Sequence, residues 1–184
     1  MKSMAIVGSP NKKGSCSYLV EQVNQGMKSQ DIDTSTFYLH DLKINYCRGC
    51  RQCEKNRECI QSDDMKMLID KIFVTDILVL ASPSYWGDVT GQMKVFIDRS
   101  LPLCNANTGI TPVPKGKRGI SISVRAGLSI SESQHLISTF EHYFGHLEIE
   151  PVSKLSVEGV NTIEDLMCHE NKLKEAFNIG KSLN

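Results

Sequence analysis

Residues 4–17 read MAIVGSPNKKGSCS, and this stretch decides the fold. Met4-Ala5-Ile6-Val7 is an apolar run of the right length for a buried strand. It breaks at Gly8-Ser9-Pro10, passes through Asn11, Lys12, Lys13 and Gly14, and reaches Ser15 and Ser17 as Leu19, Val23 and Met27 take up helical spacing. A strand, a Gly/Ser turn and a helix in that order aim backbone N–H groups and a helix N-terminus at one spot, where an anion binds well. Two well-known loops do not fit. Five residues separate Gly8 from Gly14 and Ser15 follows directly, whereas the triphosphate loop has four between its glycines and a lysine after the second. Pro10 stands where the dinucleotide fingerprint places its second glycine. Hydroxyls and amides suit the terminal phosphate of a mononucleotide. Taken alone, the stretch is equally an ordinary strand-to-helix turn with no ligand.

The rest of the chain repeats the unit. Residues 34–39 (TSTFYL), 77–81 (ILVLA), 119–124 and 147–155 read as further strands, and ILVLA, apolar throughout, is a central strand covered on both faces. Helical stripes follow at Met65, Leu68, Ile69 and Ile72; at Met93, Phe96, Ile97 and Leu101; at Leu136, Phe140 and Phe144; and at Leu166, Leu173 and Phe177. Asp63-Asp64, ahead of the first of these stripes, read as first-turn residues favoured by the helix dipole. Residues 102–116 form a connection. Five strands alternating with five helices predict one α/β domain over residues 1–184, a doubly wound parallel sheet with order 2-1-3-4-5. In such sheets ligands bind beyond the carboxyl ends of the strands, at the switch point between strands one and three. The turns at 9–17, 83–88 and 125–127 all fall on that edge, which favours a cofactor site there.

Composition narrows the class. The chain has 184 residues, 40% hydrophobic and 23% charged, with 21 basic residues balancing 21 acidic ones. That balance gives no argument for nucleic acid or an anionic membrane surface. No apolar run has transmembrane length, and the N-terminus enters a strand instead of a signal peptide, so the expected location is the cytoplasm. Seven cysteines, an odd number and mostly clustered, argue against a disulfide framework and for metal or redox chemistry.

The cluster is Cys47-x2-Cys50-x2-Cys53-x5-Cys59, inside a stretch (residues 40–62) with no sustained periodicity. Gly49 supplies the freedom a close wrap needs. Three cysteines at x2 spacing and a fourth are in the style of a [4Fe–4S] site, where each iron takes one thiolate. Redox-active free thiols and structural zinc remain open alternatives, zinc more often using two separated knuckles. Arg48, Arg51, Lys55 and Arg57 would offset thiolate charge, or simply be solvated. Cys104 and Cys168 read as small buried residues. His142 and His146 lie one helical turn apart with no third ligand apparent, so they carry no assigned role.

The segments GSPNKKGSCS, CRGCRQCEKNRECIQSDDM and PSYWGDVTGQMKVFIDRS resemble, in order and spacing, the flavodoxin-like NAD(P)H-dependent FMN reductases, and most closely their iron–sulfur flavoprotein branch. The resemblance implies a flavodoxin-like fold and non-covalent FMN. Ser9, Asn11, Gly14, Ser15, Cys16 and Ser17 would line the phosphate, though the family usually has Arg at Asn11 and Asn-Thr at Ser15-Cys16. Pro83, Ser84, Tyr85, Trp86 and Gly87 would hold the isoalloxazine and ribityl chain, with Arg125 and Gly127 in the third loop. Tyr85 and Trp86 could equally be half-buried packing aromatics. Asp98 and Arg99 read as a structural or interface pair. The same resemblance implies NADH or NADPH as electron donor, a cluster on the four cysteines, and a homodimer or homotetramer. The acceptor would be a small molecule or a protein. Two alternatives are an electron carrier with no nicotinamide site and a zinc-stabilised interaction module. A phosphatase reading is discounted, since Cys-x5-Arg occurs nowhere in the chain.

Overall fold

The computed structural model describes residues 1–104 and 108–183. In β1 (Lys2–Val7), Met4 and Ile6 face one layer while Ala5 and Val7 face the other. β3 (Ile77–Pro83) alternates in the same way, with Leu78 and Leu80 opposite Ile77, Val79 and Ala81, and all of these are buried. A strand apolar on both sides must be covered on both sides, which places β1 and β3 at the centre. β2 (Asp33–Tyr38), β4 (Arg118–Val124) and β5 (Glu150–Val157) complete a five-stranded sheet in the order β2-β1-β3-β4-β5. Every neighbour is parallel: Ala5 pairs with Thr36 and Val79, Val79 with Ile120, and Ile122 with Leu155. This is the flavodoxin-like order expected from the sequence.

One face is covered by α1 (Ser15–Lys28) and α7 (Glu170–Lys181), through Leu19, Val23, Met27, Ala176 and Ile179. The other is covered by α3 (Met65–Val74), α4 (Gly91–Arg99) and α5 (Ile130–His146), through Leu68, Ile72, Met93, Phe96, Phe140 and Phe144. Two short helices, α2 (Cys53–Asn56) and α6 (Ile163–Met167), bring the described helices to seven instead of five. The expected last helix is split. Thr162 and Asp165 form a reciprocal capping box at the start of α6, and the chain turns at Cys168 before α7. No helix among the described residues is long and apolar enough to cross a membrane.

Other differences have local causes. The fifth strand, expected over 147–155, starts later. Leu147 instead caps α5 and Glu148 takes φ +53°, so Leu147 and Ile149 are buried in a turn and the strand starts at Glu150. Leu39 opens a 3-10 turn past the end of β2. Cys104 is half-exposed and Cys168 exposed, while the buried cysteine is Cys16. Residues 105–107 of the expected 102–116 connection lie outside the described residues.

The helices α1 and α7 touch backbone to backbone. A Cβ at Gly26 would sit 2.1 Å from the Phe177 carbonyl oxygen, and one at Gly180 would sit 2.0 Å from that of Val23. No side-chain rotation relieves a clash with a main-chain atom. Gly26→Ala is therefore expected to destabilise the protein by about 2 kcal/mol, lowering Tm by roughly 4–8 °C, measured by thermal unfolding followed by circular dichroism.

Candidate functional site

At the carboxyl edge of the sheet, Ser9, Asn11, Gly14, Ser15, Cys16, Pro83, Ser84, Tyr85 and Arg125 line a single cavity of about 300 Å³. Three of the turns anticipated from sequence thus meet there. Ser17, Trp86, Gly87 and Gly127 do not line it. The cavity also takes in Val124, Ala126, Val160 and Asn161. Val160 and Asn161 sit in the turn after β5, a fourth loop on the same edge that the end of the expected fifth strand already marked.

The floor of the cavity is the start of α1. Gly14 holds the N-cap position with extended backbone, no side chain caps the helix, and its first turn holds no acidic residue. The first intrahelical bond runs from Tyr18 N–H to the Gly14 carbonyl at 3.1 Å. The amides of Ser15, Cys16 and Ser17 are therefore left for an anion. The serine hydroxyls are engaged elsewhere: Ser9 and Ser17 donate to the Asn11 carbonyl at 3.2 and 3.3 Å, and Ser15 donates to the Thr162 carbonyl at 3.0 Å. The Asn11 side chain accepts from Lys13 N–H at 3.0 Å, an Asx turn within its own loop. These side chains shape the loop, and the backbone presents the donors. Burial pushes the Cys16 thiol up to about 12, so it stays neutral. Arg125 donates to the Ser129 carbonyl at 3.0 Å and pairs with Glu132 at 2.6 Å, leaving its buried Nε–H without a partner among the described residues. Uncapped amides at a helix start, in a cavity that Arg125 also lines, fit an anionic ligand.

Tyr85 and Asp88 exchange backbone hydrogen bonds at 2.9 and 3.2 Å across Trp86 and Gly87, whose φ angles are +57° and +81°. Two consecutive positive φ values make a primed turn, which suits Gly87 and strains Trp86. The turn directs the indole away from the protein, where it is 105% exposed. Neither half-buried packing nor cavity lining describes it.

Cys47, Cys50, Cys53 and Cys59 all line one cavity of about 370 Å³, together with Arg99, Leu101, Pro102 and Cys104. The loop reaches this arrangement through left-handed backbone at Gly49, Arg51 and Arg57. Burial pushes the Cys53 thiol up, and the nearby thiols of Cys59, Cys47 and Cys50 push it the same way against its own backbone hydrogen bond. Among the described residues no three His, Cys, Asp or Glu side chains gather on the point a single ion would occupy. A cluster takes one thiolate per iron, so its donors surround a larger body, and four thiols around one cavity fit that requirement. Nearby, His142 and His146 approach Nε2 to Nε2 at 3.1 Å, with Cys104 Sγ 4.0 Å from His146 Nδ1.

Asp63 and Arg99 differ most from their sequence reading. Asp64 takes the N-cap position of α3, and Asp98 pairs with Lys94. Asp63, which also accepts from Met65 N–H, forms an ion pair with Arg99 at 2.7 Å, the two side chains 4% and 1% exposed. Desolvation alone would raise the Asp63 carboxyl. The Arg99 guanidinium and the amides of Asn45 and Met65 outweigh it and hold the group at about 2, below the usual 3.8.

The profile of the family described as NADPH-dependent FMN reductase matches residues 1–154. The chain belongs to that family. It is 40% identical over 132 residues to an iron–sulfur flavoprotein of Archaeoglobus fulgidus, covering 72% of this chain and 58% of that one. To an iron–sulfur flavoprotein of Methanocaldococcus jannaschii it is 35% identical over 103 residues, covering 56% and 53%. The matched region is thus a little over half the length of these curated relatives. Among solved structures, the FMN-dependent NADH-azoreductase of Bacillus anthracis in complex with FMN superposes with a TM-score of 0.78 at 13% identity, covering 100% of this chain and 99% of that one. That match shows the shared fold.

A carboxyl held low in the folded protein stabilises it above the unfolded value and loses that contribution as pH falls. For Asp63 the loss runs from about 4 down to about 2. Asp63→Asn leaves a buried guanidinium unpaired and is expected to lower stability by about 3–5 kcal/mol at pH 7. Urea unfolding across pH 2–7 is expected to show the variant's deficit shrinking below about pH 4.

Proposed function

We propose that this member of the FMN reductase family is an NADH- or NADPH-dependent flavin oxidoreductase. It would bind FMN at the carboxyl-edge cavity and pass electrons, with a [4Fe–4S] cluster on Cys47, Cys50, Cys53 and Cys59 as relay, to a small-molecule or protein acceptor. The observation that carries the reading is the uncapped start of α1, open to an anion, on a family member whose four thiols share a second cavity. FMN, when bound, supplies exchange between two-electron and one-electron chemistry. The protein's part is placement. The amides of Ser15, Cys16 and Ser17 would hold the phosphate, with Ser9, Asn11 and Gly14 shaping the loop. Pro83, Ser84 and Tyr85 would border the ring and ribityl chain, with Arg125 and Asn161 also lining the cavity. No side chain needs to move a proton for hydride delivery, so we assign no acid or base.

Trp86, Leu128 and Ile130 are exposed beside this edge. An apolar surface of that kind supports a homodimer or homotetramer in which a second copy covers it. An odd number of cysteines, mostly in one cluster, supports the reducing cytoplasm as its location.

Protein purified without oxygen is expected to show a flavin spectrum over broad iron–sulfur absorption, with about four irons per chain. Cys50→Ser should lose the iron and keep the flavin. Tyr85→Ala should weaken FMN binding by about 0.5–1.5 kcal/mol, roughly two- to twelvefold. Absence of flavin even after reconstitution with FMN would overturn the reading. A bound flavin that neither NADH nor NADPH bleaches would make the protein an electron carrier, and zinc without flavin an interaction module.

A further inference from the structure

Arg99 is the largest wholly buried side chain among the described residues, and it stands at the last turn of α4 beside the cysteine loop. A guanidinium has five N–H donors in a fixed fork. Two go to Asp63, at 2.7 and 3.0 Å, and one to the Asn45 carbonyl at 2.6 Å. A fourth reaches the sulfur of Cys59 at 3.5 Å. The fifth, on Nε, is buried with no partner among the described residues, and Arg99 lines the cavity shared by the four thiols.

Stability is a poor reason for this arrangement. Apolar residues of similar volume commonly replace a buried ion pair with no loss. What the pair does provide is a cation whose position is set by Asp63 and Asn45 and which turns one donor to the sulfur of Cys59. The exposed Arg48, Arg51 and Lys55 offer charge to the same loop without that fixity, and exposed charges are screened.

We propose that Arg99 is a positioning residue of the four-thiol centre, holding Cys59 through an N–H···S bond and raising the reduction potential of the cluster bound there. The inference rests on the iron–sulfur reading of the loop given above. A hydrogen bond to a ligating sulfur draws electron density from it, and the Arg99–Asp63 pair turns its cationic end to Cys59, which favours the more negative, reduced form. Asp63 and Asn45 act through Arg99, orienting the fork.

The test is the cluster's midpoint potential, measured by spectroelectrochemistry on protein reconstituted with iron and sulfide. Two variants are compared with the unmodified chain. Arg99→Lys keeps the cation and loses the fork. Combining Arg99→Met with Asp63→Leu removes both charges at once, so no unpaired ion is left to prevent folding. Both potentials are expected to move negative, the double variant by at least a tenfold change in the reduced-to-oxidised ratio, about 59 mV for a one-electron couple, and Arg99→Lys by less. Iron-loaded variants with unchanged potentials would overturn the role of Arg99 and leave the cluster standing. An unmodified chain that binds FMN yet takes up no iron would overturn the cluster itself, and this inference with it.

Discussion

A parallel sheet pairs its backbone internally, and its apolar strands have to be covered on both faces. In this protein α1 and α7 cover one face and α3, α4 and α5 the other, so the strand ends are the main place left for chemistry. Because all five strands run parallel, every strand-to-helix loop comes to the same edge. The cavity bounded by Gly14, Ser84, Arg125 and Asn161 is thus a consequence of how β1 and β3 are buried. The sequence between those strands can vary widely while the edge keeps its position. The backbone contact of Gly26 with Gly180 also fixes α1 against α7, and with it the amides that α1 presents.

Features written in local periodicity were legible in the chain alone. The alternation of β1, the ILVLA run of β3 and the stripes of the long helices specify the layers, and the Gly/Ser turn after β1 marks the edge that carries the cavity. Features that depend on distant partners were not. Asp63 beside Asp64 has the local pattern of a helix start, and nothing near it in sequence reveals that Arg99, 36 residues on, takes its carboxylate. Leu147 and Ile149 alternate as a strand would because a turn buried against the core selects the same residue types. Trp86 carries no local signal for a positive φ. Its place in the turn follows from Gly87 and from the exchange of bonds between Tyr85 and Asp88. Serines in a phosphate-like loop suggested side-chain donors, whereas their hydroxyls stabilise the loop that exposes the amides.

The cysteine loop shows how an irregular segment can be specified without secondary structure. Three left-handed residues curl it, the Arg57 guanidinium donates to the Ile110 carbonyl at 3.2 Å, and Gln61 donates to the Tyr46 carbonyl at 3.1 Å. Asp63 accepts both the backbone and the side-chain N–H of Asn45, at 3.0 and 3.1 Å, closing the loop at its base. One carboxylate therefore organises both the guanidinium and the base of the loop, and its low affinity for a proton keeps that arrangement intact across the range in which a cell operates.

Helix α4 runs from the loop after β1 to the cysteine loop. At its start the Thr90 hydroxyl donates to the Gly8 carbonyl at 2.7 Å and accepts from Met93 N–H, while Thr90 N–H donates to Ser82. Its last residue is Arg99. Nine residues separate these ends, about 13 Å at the rise of an α-helix, with no proline or glycine past Gly91 to bend it. A rod of that kind moves as one piece. The helix that Thr90 ties to the first loop therefore also carries the guanidinium that stands beside Cys59.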